Sequence, residues 1–171
     1  MLKVTYAEVK ALHPCETGLK SAARKLGGVK AWNAKATSFA DLRAAGVPFD
    51  DLVWLASAIA HESKDIERRL WLWTADCAAR VLRIYEKTGK SPAPRAAIIA
   101  VRQFTRGEIS AAARAAARAA AGAATWAAAG AGAGAAEEAW QIDRFVARMS
   151  DDEPEDWPLP SPPPAEGDGR T

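Results

Sequence analysis

Chemistry in this chain would have to start from two histidines, two cysteines and one carboxylate set in a long apolar helix pattern. His61 is followed by Glu62, but no second histidine completes the HExxH pattern that holds zinc on one helix face. Neither His13 nor His61 has ligand partners at metal spacing. Cys15 and Cys77 lack metal-ligand spacing and make no disulfide framework. Cys77 falls on an apolar stripe, where a thiol acts as a small hydrophobe. Gly130, Gly132 and Gly134 follow alanines rather than a strand, so they form no phosphate loop. The pattern predicts a non-enzyme, with no catalytic residue, metal or cofactor. Asp76 is the carboxylate of most interest. Arg80, four residues on, is within its reach, and Arg95 and Arg102 on the next helix are alternative partners.

The residues that suit a binding partner are Lys20, Arg24, Lys25, Lys30, Trp32 and Lys35. Cations interleaved with an aromatic suit phosphate contact and base stacking. SAARKLGGVKAW also faintly resembles the turn of a helix-turn-helix, although the apolar spacing of a recognition helix is not clear.

The elements that must position these residues are helices. The organising one is Ile66 to Tyr85. At 100° per residue, Ile66, Leu70, Trp73, Cys77, Val81 and Ile84 share one stripe, which Thr74, Ala78, Tyr85, Trp71 and Leu82 widen to about half the circumference, as in a helix touched on two sides. Arg69, Asp76, Arg80, Arg83 and Lys87 share the opposite face, with Leu72 the lone apolar exception. Ser63 caps the start, and Gly89 with Pro92 stops the end. Upstream, Thr5–Glu8 and Ser38–Asp41 read as caps of short helices. Gly27-Gly28 ends a helix begun near Glu16, and Pro48 opens one reaching about Ala60, with Leu52, Val53, Trp54, Leu55 and Ile59 mostly buried. Downstream, Arg95 to Thr105 is helical. Ser110 then caps a long alanine-rich segment with a break or bend expected near 130–134.

The expected fold is all-α: a small helical domain around a long central helix, with alanine-rich C-terminal helices and no sheet. Residues 1–62 form an N-terminal helical subdomain of short helices, 63–150 the helical core, and 151–171 a disordered acidic, proline-rich tail. Residues 119–136 carry no charge, but they lack Leu, Ile, Val and Phe, so no membrane span is expected. The N-terminus MLKVTYAEVK has no apolar signal region, which predicts a cytoplasmic protein.

The net charge of +2 conceals an asymmetry. Residues 151–171 hold seven acids and one base, −6, leaving +8 on residues 1–150. A basic body with an acidic tail suits an acidic partner, or a tail that masks the body; a purely solvating role is the plain alternative.

From Arg69 to Ile109 the sequence resembles the alanine-rich helical proteins of the Imm-5-like immunity family, and related uncharacterised phage and prophage proteins. The resemblance is carried by RLWLWTADCAARVLRIYE, then PAPRAAI, then TRGEIS leading into alanine-arginine repeats. Upstream, LHPCETGLKSAARKLGG is similar to a Cys-x-x-Gly opening of such phage proteins. The family brings no catalytic residues. The acidic tail and the glycine interruption depart from it. The resemblance implies a non-enzymatic protein that binds another protein, either a toxin or a host defence factor such as a CRISPR effector. The alternative from the residues is a nucleic-acid-binding accessory protein that uses the basic N-terminal half. The oligomeric state stays open.

Overall fold

The computed structural model describes residues 2–87, 91–113, 115, 135–150 and 154–161. Local signals explain most of the helix boundaries. The Thr5 hydroxyl accepts from the Glu8 N–H, and the Glu8 carboxylate accepts from the Thr5 N–H at 2.7 Å, opening α1 (Tyr6–Ala11). Cys15 Sγ accepts from the Gly18 N–H at 3.4 Å at the start of α2 (Glu16–Lys25). Gly27 and Gly28, with φ of 82° and 97°, take left-handed turns closed to most side chains and lead into α3 (Val29–Ala34). A second reciprocal box, Ser38 with Asp41, opens α4 (Phe39–Ala44). Next come α5 (Phe49–Ala60) and α6 (Lys64–Glu86); the Ser63 hydroxyl accepts from the Ile66 N–H at 3.4 Å. Then follow α7 (Ala93–Thr105), after Pro92, and α8 (Ala135–Arg148).

The all-α class holds, with one addition. β1 (Lys3–Val4) pairs antiparallel with β2 (Thr37–Ser38), Lys3 opposite Ser38 and Val4 opposite Thr37. Two residues per strand are too few to show the alternation that marks a strand in sequence.

The chain forms two units, and the division runs through α6 after Trp73. The first comprises residues 1–73 with 135–155. Its core centres on Phe145, fully buried, whose ring meets Phe39, Phe49 and Trp73 edge-to-face at 5.7, 5.4 and 5.3 Å. This geometry sets the electropositive ring edges against π faces and adds to the area buried. The Trp73 indole N–H donates to the Gln141 carbonyl at 3.0 Å, so its polar atom is satisfied.

The second unit comprises residues 74–134 with 156–171. Ala75, Ala79 and Leu82 of α6 pack with Ile98 of α7, and Tyr85, Val101, Trp157 and Leu159 close around them. This corrects the predicted stripe. In this half of α6 the buried line is Ala75, Asp76, Ala79 and Leu82; Cys77 is only half-buried and Ile84 is 42% exposed. In the first unit Leu72, the supposed exception, is buried as well. Alanines four residues apart let α7 lie close, and a paired carboxylate is accepted on that face. The hydropathy pattern saw only the larger side chains.

Within the stretch expected to be a tail, residues 154–161 follow an irregular course and are mostly part-buried. Two apolar side chains, Trp157 and Leu159, anchor the second unit's part of it. The predicted bend near 130–134, residues 119–134 of the uncharged run 119–136, and the final residues 162–171 lie outside the described residues.

Candidate functional site

The predicted basic cluster divides in two. Lys20, Arg24 and Lys25 on α2, Lys30 on α3 and Lys35 just beyond it are all exposed. Lys20 sits 2.6 Å from Glu16 one helical turn away, and Lys25 Nζ donates to the Gly46 carbonyl. Such exposed pairs contribute little to stability and leave the cations available. Trp32 is different: it is buried in the core rather than exposed beside these cations, and it lines the pocket described below. It is 2% exposed, its indole N–H donates to the Val4 carbonyl at 2.9 Å, and its ring meets Tyr6 edge-to-face at 5.7 Å. An indole whose N–H is paired loses nothing polar on burial, so the core takes it and no base can stack on it.

The same unit holds a concave site of about 300 Å³. Its walls are apolar: Val9 of α1, Leu19 of α2, Leu42 of α4, and Leu52 and Leu55 of α5. Trp54, expected to be mostly buried, stands at the rim 39% exposed. The polar lining is Cys15, exposed at the N-cap of α2, and the carboxylates of Asp50 and Asp51 in the first turn of α5. Among the described residues neither aspartate makes an ion pair. Both lie in the first turn of α5, on the lining of an otherwise apolar pocket. Gly18 keeps the wall close: a Cβ there would lie 2.9 Å from Cys15 Sγ and 3.5 Å from Asp51 Oδ1. Sequence periodicity could not find this pocket, because its walls come from five helices whose order in space is a tertiary fact. The one local signal is Asp50-Asp51 beside a Trp in an otherwise apolar helix.

The second unit contains a buried charge cluster. Asp76, fully buried, accepts through Oδ1 from Arg102 Nη2 at 3.1 Å and from the Trp157 backbone N–H at 2.8 Å. Arg102 Nη2 also donates to the Trp157 carbonyl at 2.6 Å. Arg102 Nε, with no hydrogen bond among the described residues, faces the Asp156 carboxylate at 3.6 Å. Arg95 is held bidentate by Glu86 at 2.8 Å and 2.8 Å, and donates to the Pro160 carbonyl at 2.8 Å. Arg80 lies over the Trp157 ring, 5.4 Å from its centroid.

Titration is perturbed mainly at helix starts. The Thr5 backbone N–H and hydroxyl hold Glu8 below the usual carboxylate range. The Ser38 hydroxyl and N–H do the same for Asp41. Burial pushes Asp65 up, but the hydrogen bonds of Arg69 and Arg68 outweigh it and the net direction is down. Among the described residues no group of three or more His, Cys, Asp or Glu side chains is placed to hold a metal. No described helix is long and apolar enough to cross a membrane.

Residues 60–141 match the model of the family described as "Imm-5 like putative immunity protein". No curated protein and no solved structure matches the chain.

Proposed function

We propose that this chain is an immunity-type protein that acts in the cytoplasm by binding another protein, without catalysis. It either neutralises a toxin or blocks a host defence factor on behalf of a phage. The observation that carries the reading is the apolar pocket with its exposed Trp54 and its two carboxylates. A site of this shape takes one apolar side chain from a partner, and Asp50 and Asp51 favour a neighbouring Lys or Arg on that partner. The family match over residues 60–141 supports the class. Lys20, Arg24, Lys25, Lys30 and Lys35 lie on the same unit and give the partner's acidic groups something to meet.

The test is co-expression with the product of each neighbouring gene that proves toxic. Rescue of growth by the chain, lost in Trp54→Ala and in Asp50→Lys/Asp51→Lys at unchanged melting temperature, is the expected result. Rescue that survives both variants sinks the pocket as the contact.

A second reading is favoured by the exposure of those five cations. They would bind nucleic acid, and affinity for plain DNA would then fall steeply with salt. Lys25→Glu/Lys30→Glu should abolish that binding. With the buried Trp32 unable to stack, only phosphate contact remains to this reading, and flat DNA binding across salt concentrations removes it.

A further inference from the structure

In the second unit, side chains of two helices pair with the main chain of a segment distant in sequence. Residues 156–160, Asp-Trp-Pro-Leu-Pro, cross α6 and α7 with no helix or strand of their own. Asp76 takes the Trp157 N–H, Arg102 gives to the Trp157 carbonyl, and Arg95 gives to the Pro160 carbonyl. Two of these readers are buried in the unit: Asp76 is 0% and Arg102 7% exposed. The segment's side chains are read as well. Arg80 covers the indole face, Leu159 enters the Ala75–Leu82–Ile98 cluster, and the Asp156 carboxylate lies 3.6 Å from both Arg102 and Arg106.

This is how proline-containing segments are bound elsewhere in protein chemistry. An extended backbone, held open by proline, offers carbonyls and alternate side chains to a groove of aromatic or basic groups. Charge-assisted hydrogen bonds make such contacts stronger than neutral ones. Nothing in them requires the segment to belong to this chain. Trp157 and Leu159 are each only part-buried, so apolar burial does not lock the segment in as it locks Phe145.

We propose that the α6–α7 face is a binding site for an extended acid-Trp-Pro-Leu-Pro segment. Residues 156–160 occupy it in cis, and a partner protein presenting such a segment displaces them. Arg102 and Arg106, which both face the Asp156 carboxylate, favour an acid at the segment's first position.

The experiment uses a fluorescent Glu-Asp-Trp-Pro-Leu-Pro peptide and the full chain. Trp157→Ala and, separately, Asp156→Ala loosen the resident segment. Both variants should bind the peptide saturably, and the wild-type chain should bind it at least about tenfold more weakly, because a tethered segment competes at an effective concentration near millimolar. A peptide with its Trp replaced by Ala should not bind. The proposal is overturned if both variants stay folded by circular dichroism and neither takes up the peptide. It is also overturned if wild type and variants bind equally, or if both variants unfold, since the segment would then be an inseparable part of the core.

Discussion

The carboxylate of Asp76 and the guanidinium of Arg102 form a buried pair, 3.1 Å apart, with side chains 0% and 9% exposed. Two charges out of water tolerate each other at that depth only because each is paired and hydrogen-bonded further by the Trp157 backbone. Removing one partner strands the other. Asp76→Ala should therefore destabilise the chain by about 3–5 kcal/mol, measured by urea unfolding. A loss below about 1 kcal/mol, the scale of an exposed pair, would show that the cluster is solvated.

The buried line of α6 makes a paired prediction. Leu82→Ala should cost about 2–5 kcal/mol, since Leu82 is 2% exposed between α6 and α7. Ile84→Lys, two residues on, should stay within about 0.5 kcal/mol. Equal effects in thermal melts would restore the stripe through Cys77 and Ile84.

The aromatic group around Phe145 sets the stability of the first unit. Phe145→Ala removes one member of three edge-to-face contacts and leaves a cavity. About 3–5 kcal/mol of destabilisation is expected, read from chemical denaturation. Phe145→Leu should cost less, because it refills part of the volume.

Acid should weaken the caps. Glu8, Asp41 and Asp65 all have their pKa lowered in the folded chain, by Thr5, by Ser38, and by Arg69 with Arg68 against burial. The folded state therefore holds its protons less tightly than the unfolded one. Their contribution is complete above the ordinary carboxylate range and is lost as pH falls through the lowered values. Melting temperature should decline below about pH 4, and Ser38→Ala should make that decline shallower. Identical acid profiles for wild type and Ser38→Ala would remove Asp41 from this account.

The sequence alone determined the helices and their ends. Thr5–Glu8, Ser38–Asp41, Ser63, Gly27-Gly28 and Pro92 act over three or four residues, and the structure uses each where local chemistry places it. The family resemblance was legible for a similar reason: RLWLWTADCAARVLRIYE and PAPRAAI are contiguous. Tertiary structure decided what each helix face meets. Asp76 had three candidate arginines by reach, and the approach of α7 brought Arg102 to it. Trp32 has the composition of a stacking residue, yet the Val4 carbonyl and the Tyr6 ring made it a core residue. The half of α6 near Ile84 turned its alanines inward, because a neighbouring helix rewards close approach over side-chain size. A pocket assembled from α1 to α5, and a segment bound on α6 and α7, depend on distances between elements far apart in the chain. No spacing along one helix encodes those distances.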